Sequence, residues 1–137
     1  MAGAVLYLDA SALVKLVVAE PETGALREEI ARWPERASSA VSEVEVLRAV
    51  RRVTDEREPV RRAEEVLAAL FLLEVDAPIR RLAGELDPGA LRSLDALHLA
   101  TALALGPDLG AFATYDLRLV DAARRHGLDV VRPGTGG

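Results

Sequence analysis

Short apolar runs alternate with helix-forming stretches along the length of this chain, a pattern that commits a sequence to a parallel sheet covered by helices on both faces. Residues 4–8 ("AVLYL") end at an aspartate and pass directly into "ASALVKLVV", whose apolar residues recur at helical spacing. A second amphipathic helix is expected in "EPETGALREEIARW", where Leu26, Ile30 and Trp33 stand four and three apart. A brief strand over residues 37–39 then feeds a long helix over 41–54. "DEREP" breaks that helix, and "VRRAEEVLAAL" starts another directly after Pro59. Residues 71–75 read as a short buried strand and "APIRRLAGEL" as a helix closed by Asp87, Pro88 and Gly89. Residues 93–105 form a further helix stopped by Gly106 and Pro107. "GAFATYD" is a strand ending at an aspartate, "LRLVDAARRHG" a helix, and "LDVV" a last strand.

With 137 residues and half of them apolar, the chain suits one compact domain, expected over residues 1–132, with a frayed tail over 133–137. The absence of cysteine excludes a disulfide framework, a thiolate metal site and a cysteine nucleophile, and His98 and His126 alone make a zinc centre a poor fit. No apolar window approaches the roughly 20 residues of a membrane span, and no basic leader precedes the first apolar run, so a soluble cytoplasmic protein with no membrane partner is expected. The formal net charge of −5 gives no general attraction for nucleic acid, so any such contact must be local. Lys15, the only lysine, and Arg48 and Arg92, which flank two of the motifs below, are candidates for it, against the plainer role of solvated or structural pairing.

In an open parallel sheet the functional crevice lies at the carboxyl ends of the strands. Asp9 follows the first strand and Asp116 the "FAT" strand, which puts both at the same edge. Asp95 falls in the first turn of its own helix, "SLDALHLATALA", where the helix dipole favours a carboxylate. Each has an ordinary explanation: Asp9, Ser11 and Asp116 stand where helix caps belong, and Asp95 complements a dipole with Ser93 as the cap. If the acids converge, their mutual repulsion demands shifted pKa values or a cation. A site with oxygen ligands alone suits Mg²⁺ or Mn²⁺, ions that serve phosphoryl chemistry.

Four stretches, "YLDASALVKL", "SSAVSEVEVLRAVRR", "LRSLDALHLATAL" and "FATYDLRLVDAARRHGLDVVRPG", together resemble the PIN-domain ribonucleases, in particular the toxins of VapBC-type toxin–antitoxin pairs. The resemblance runs in order over almost the whole chain. It implies a three-layer α/β/α sandwich with a short, mostly parallel sheet, and four acidic residues that hold Mg²⁺ or Mn²⁺ for RNA cleavage. By motif these correspond to Asp9, Glu45, Asp95 and Asp116, with Ser11 and Thr114 at the supporting hydroxyl positions. It also implies an RNA substrate, a VapB-type antitoxin partner and a homodimer.

Glu43 lies close to Glu45, and helical periodicity does not choose between them; the "E-V-L-R" motif selects Glu45. His98, three residues past Asp95, is on nearly the same helix face. It is a candidate proton carrier or phosphate contact, but reads first as a satisfied structural histidine and stays outside the catalytic set. Asp121 is expected to be peripheral. Leu13, Val14, Leu16, Val17, Leu26, Ile30 and Trp33 supply more apolar surface than one side of the domain obviously needs, and part of it is expected to pack against a partner. Two other readings compete with the nuclease: a non-catalytic PIN-like module binding RNA or protein, and a phosphotransfer or receiver-like domain with Asp9 as nucleophile. Against the latter, "DAS" lacks the second aspartate a haloacid-dehalogenase-type phosphatase carries two residues on.

Overall fold

The computed structural model describes residues 2–136; Met1 and Gly137, the outer ends of the expected domain and tail, lie outside the described residues. Five strands, β1 (Val5–Leu8), β2 (Glu35–Ser39), β3 (Phe71–Leu73), β4 (Leu109–Ala113) and β5 (Val130–Val131), form one sheet in the order β3-β2-β1-β4-β5. Every pairing is parallel. The crossovers carry helices α1 (Ala10–Val17), α2 (Thr23–Ala31), α3 (Val41–Val53), α4 (Arg57–Ala68), α5 (Ala77–Glu85), α6 (Ser93–Ala104) and α7 (Leu117–Arg125).

Alternation along the central strand β1 divides the interior in two, because successive side chains of a strand point to opposite faces. Leu6 and Leu8 pack with Leu13, Val17, Leu26, Val46, Val50 and Leu67 from α1 to α4. Tyr7 goes the other way and joins Leu99, Phe112, Leu119 and the alanines of α6 and α7. The result is the expected three-layer sandwich, with a sheet that is wholly parallel.

Four expectations change in detail, the first being that β3 is a three-residue edge strand with Phe71 exposed and not a buried strand over 71–75, because no described strand pairs with its outer side. Helix α4 begins at Arg57, so Pro59 lies inside its first turn, where its missing N–H has no intrahelical partner to lose. Ser93 is the first residue of α6 and not its cap; the cap position belongs to Arg92, whose side chain makes no capping bond. The apolar residues of α1, α2 and the turn after α2 serve the core first and leave only a remainder of surface. Leu13, Val17 and Leu26 are buried, and Val14, Leu16, Ile30 and Trp33 pack against that core. Helices α3 and α4 lie across α1, and what stays open of Leu16 and Ile30 lines a groove with Arg27, Arg62 and Val66. The large apolar side chains left exposed are Val44, Val53, Phe71, Leu94 and Leu117.

Gly106, at φ +57°, turns the chain out of α6 in the left-handed conformation that ends many helices. At the other end of the molecule the Tyr115 hydroxyl donates to the Pro133 carbonyl at 2.8 Å, which ties the first residues of the expected tail to the turn after β4.

Candidate active site

The strand order places β1 beside β4, so the turns that follow them meet at one edge of the sheet. Asp9 caps α1. Its Oδ1 accepts the Ala12 N–H at 3.0 Å and the Ser11 hydroxyl at 2.7 Å, and its Oδ2 accepts the Thr114 hydroxyl at 2.6 Å. Burial pushes the Asp9 carboxyl above its ordinary range, against the pull of nearby His98 and of the hydrogen bonds from Thr114, Ser11 and Ala12.

Asp116 caps α7 through Oδ1, which accepts the N–H groups of Arg118 at 2.9 Å and Leu119 at 3.4 Å. Its own N–H donates to Thr114 Oγ1 at 3.1 Å, and the Tyr115 N–H donates to Ser11 Oγ at 2.9 Å. Ser11 and Thr114 thus brace the turn after β4 against the one after β1.

The other two acids enter from helices. Glu45 on α3 is partly buried, and its Oε1 lies 2.6 Å from His98 Nε2 on α6. Glu43 is exposed and lines a groove with Leu47, Arg51, Val60 and Glu64 on the α4 side. Asp95, half-buried in the first turn of α6, has its carboxyl raised by burial first, then by the charges of Asp116 and Asp9, with Glu45 adding to them and His98 opposing. Carboxylates from four separate segments therefore stand near enough for Asp116, Asp9 and Glu45 to act on Asp95.

Two buried serines that the sequence reading passed over support this edge. Ser38 donates to the Leu8 carbonyl at 2.6 Å and pairs with Ser42 of α3 at 2.7 Å, which fixes the start of α3 against the residue before Asp9. Nothing in their spacing marks them, because small hydroxyl residues at a strand-to-helix turn read equally well as caps. Ser39, for its part, accepts the Val41 N–H.

The remaining candidates separate cleanly. Lys15 is held by Glu20 at 2.8 Å and Glu22 at 2.9 Å beneath the Tyr115 ring, so it serves the α1–α2 turn. Arg48 and Arg92 are exposed. Asp121 is 73 % exposed and faces Arg125 on its own helix, away from the other acids.

As a donor set these residues suit a hard divalent cation. Asp9 Oδ2 keeps a second lone pair, Asp116 Oδ2 and Glu45 Oε2 accept no bond from a described residue, and Asp95 is crowded by like charge. Among the described residues no three such side chains yet stand close enough together to hold an ion, so coordination requires the carboxylates to turn towards one another.

Residues 6–128 match the family model described as PIN domain. Over 131 residues, covering 95 % of this chain and 98 % of the relative, the sequence is 50 % identical to "Ribonuclease VapC46" of Mycobacterium tuberculosis. Among solved structures, the fold is similar to that of M. tuberculosis VapC20, a sarcin–ricin loop cleaving toxin, with a TM-score of 0.73 at 20 % identity over 93 % of this chain and 99 % of that one. It is also similar to a chain of a toxin–antitoxin complex from Klebsiella pneumoniae, with a TM-score of 0.71 at 22 % identity over 93 % and 96 % of the two chains.

Proposed function

This chain belongs to the PIN-domain family, and from that membership we propose that it is a metal-dependent endoribonuclease, the toxin of a VapBC-type pair, that hydrolyses RNA phosphodiester bonds. The observation that carries the reading is the convergence of Asp9, Glu45 and Asp116 on Asp95, whose carboxyl is raised by burial first and then by the charges of these three acids. The ribonuclease name of a relative at 50 % identity over nearly the whole chain supports the same activity.

Asp9, Glu45, Asp95 and Asp116 would hold Mg²⁺ or Mn²⁺. When bound, the ion supplies an activated water and neutralises charge on the scissile phosphate. The chain contributes the placement of the donors. Asp9 is locked by Ser11, Thr114 and the Ala12 N–H, Asp116 by the first turn of α7, and Glu45 by His98. Asp95 accepts no hydrogen bond from a described residue and is the donor freest to adjust. Arg48, one turn past Glu45, and Arg92, one turn before Asp95, offer local positive charge to the RNA backbone on an otherwise acidic molecule.

Two protein partners belong to the proposal: a VapB-type antitoxin and a second copy of the chain, acting in the cytoplasm where the RNA is. Similarity to a chain solved in a toxin–antitoxin complex supports the first, and the exposed apolar side chains Val44, Phe71 and Leu117 provide surface for partners to cover. No described helix is long and apolar enough to cross a membrane. Asp9 is a poor nucleophile for phosphotransfer, since it is 3 % exposed and both its oxygens already accept hydrogen bonds.

Cleavage of an RNA panel with Mg²⁺ or Mn²⁺, with EDTA, and by Asp95→Asn tests the reading. Cleavage restored by the ions and lost in EDTA and in the variant is expected. Full activity in EDTA overturns metal dependence, and RNA or antitoxin binding with no cleavage under any condition favours the non-catalytic module.

A further inference from the structure

His98 is 2 % exposed, yet both of its ring nitrogens are engaged: Nδ1 stands 2.7 Å from the Tyr7 hydroxyl and Nε2 stands 2.6 Å from Glu45 Oε1. The carboxylate only accepts, so Nε2 carries the hydrogen of that bond. In the neutral ring Nδ1 is then the acceptor, and the Tyr7 hydroxyl is the group that donates to it.

The anchor behind this chain of bonds is rigid. Tyr7 lies in the central strand β1, stacked on Phe112 of β4 at 5.2 Å with the rings 6° from parallel, and it meets His98 edge-on at 5.9 Å. Each link fixes the next, from Phe112 through Tyr7 and His98 to Glu45. The far end is the longest side chain of the four acids, which has three rotatable bonds and only the His98 contact to hold it.

We infer that His98 is a positioning residue for the metal site: with its tautomer set by Tyr7, it clamps Glu45 Oε1 so that Oε2 is presented to the crevice shared with Asp9, Asp95 and Asp116. A buried histidine with no such role would be satisfied equally well by a backbone carbonyl. Here it reaches from α6 across to a partly buried carboxylate on α3. Partners of this kind commonly set metal affinity, and their loss weakens binding by about 10- to 100-fold. The inference rests on the reading of Glu45 as a metal ligand.

The test is calorimetric titration of the full chain with MnCl₂ and no RNA, so that the readout is ion binding rather than activity. Glu45→Gln and His98→Leu are each expected to weaken Mn²⁺ binding by about 10-fold or more. His98→Gln, whose amide nitrogen reaches the Nε2 position, should bind close to the parent value, and His98→Asn, which reaches only the Nδ1 position, should not. In the Glu45→Gln background, His98→Leu should cost nothing further, since a residue acting through Glu45 has nothing left to position. Unchanged binding in Glu45→Gln overturns the ligand reading and this inference with it. Weakened binding in Glu45→Gln beside parent-like binding in a cooperatively melting His98→Leu overturns the positioning role alone. If His98→Leu fails to fold, the Gln and Asn variants decide, and equal affinities overturn the inference.

Discussion

Thr114 Oγ1 donates to Asp9 Oδ2 at 2.6 Å and itself accepts the Asp116 N–H at 3.1 Å. One fully buried side chain therefore sets the spacing between two of the proposed metal ligands. Thr114→Val keeps the shape and removes both bonds, leaving Asp9 Oδ2 buried without a partner. The expected cost is about 1–3 kcal/mol of stability, read by urea denaturation, together with a loss of divalent-ion affinity. Thr114→Ser should restore most of both. A Val variant with parent stability and affinity would show that the bond carries no weight.

Both Asp9 and Asp95 have folded-state pKa values above the ordinary 3.8, so each binds its proton more tightly folded than unfolded. As pH rises from 3.8 towards the folded value, the unfolded chain gives up its proton first, and stability falls across that window. Above the folded pKa the whole penalty is present. Asp9 is also a helix cap, so its replacement mixes two effects, whereas Asp95 accepts no hydrogen bond and gives the cleaner measurement. In EDTA at pH 7, Asp95→Asn should melt a few degrees above the parent, and the gap should close as pH falls towards 3.8. Mn²⁺ should reverse the order by stabilising the parent more. A variant that melts below the parent at every pH in EDTA would contradict a charged Asp95 disfavoured by burial and by its like-charged neighbours.

Glu43 and Glu45 are about 200° apart around α3, so only one can face the crevice. The structure turns Glu45 to His98 and leaves Glu43 exposed over the groove against α4. Glu45→Gln should strongly reduce ion affinity and cleavage, and Glu43→Gln should leave both within a few-fold of the parent; the reverse pattern would mean that the register of α3 is wrong.

The sequence could not choose between the two glutamates from periodicity, because α3 is packed by Ser42, Val46 and Val50, a stripe that begins with a serine, while the apolar Val44 and Val53 face out. The parallel sheet and the edge shared by Asp9 and Asp116 are readable because strands alternating with helices admit few arrangements, whereas the order β3-β2-β1-β4-β5 is seen only in the fold. The sequence does not reveal how much of the apolar surface of α1 is left for a partner, because that depends on α3 and α4 folding back across it. The link from Tyr7 through His98 to Glu45 joins positions 91 and 53 residues apart, and only the His98 spacing from Asp95 hinted at it.

The amino end of β4 carries a packing constraint that is independent of the acids. A Cβ on Gly110 would lie 2.3 Å from the Gly3 carbonyl oxygen and 2.3 Å from Trp33 Cζ3. The ring cannot simply swing aside, since Trp33 Nε1 donates to Glu29 Oε2 at 2.8 Å, and the carbonyl belongs to a chain segment tied by the Gly3 N–H to Pro107 O at 2.8 Å. Gly110→Ala should therefore destabilise by about 1–3 kcal/mol, seen as a lower melting temperature. Combining it with Trp33→Leu should recover only part of the loss, because the backbone clash persists. Gly110 lies at the opposite end of β4 from Thr114 and Asp116, so Mn²⁺ affinity of the folded variant, measured well below its melting temperature, should match the parent. An alanine variant as stable as the parent would mean that the Trp33 ring and the Gly3 backbone do not close over β4 as described.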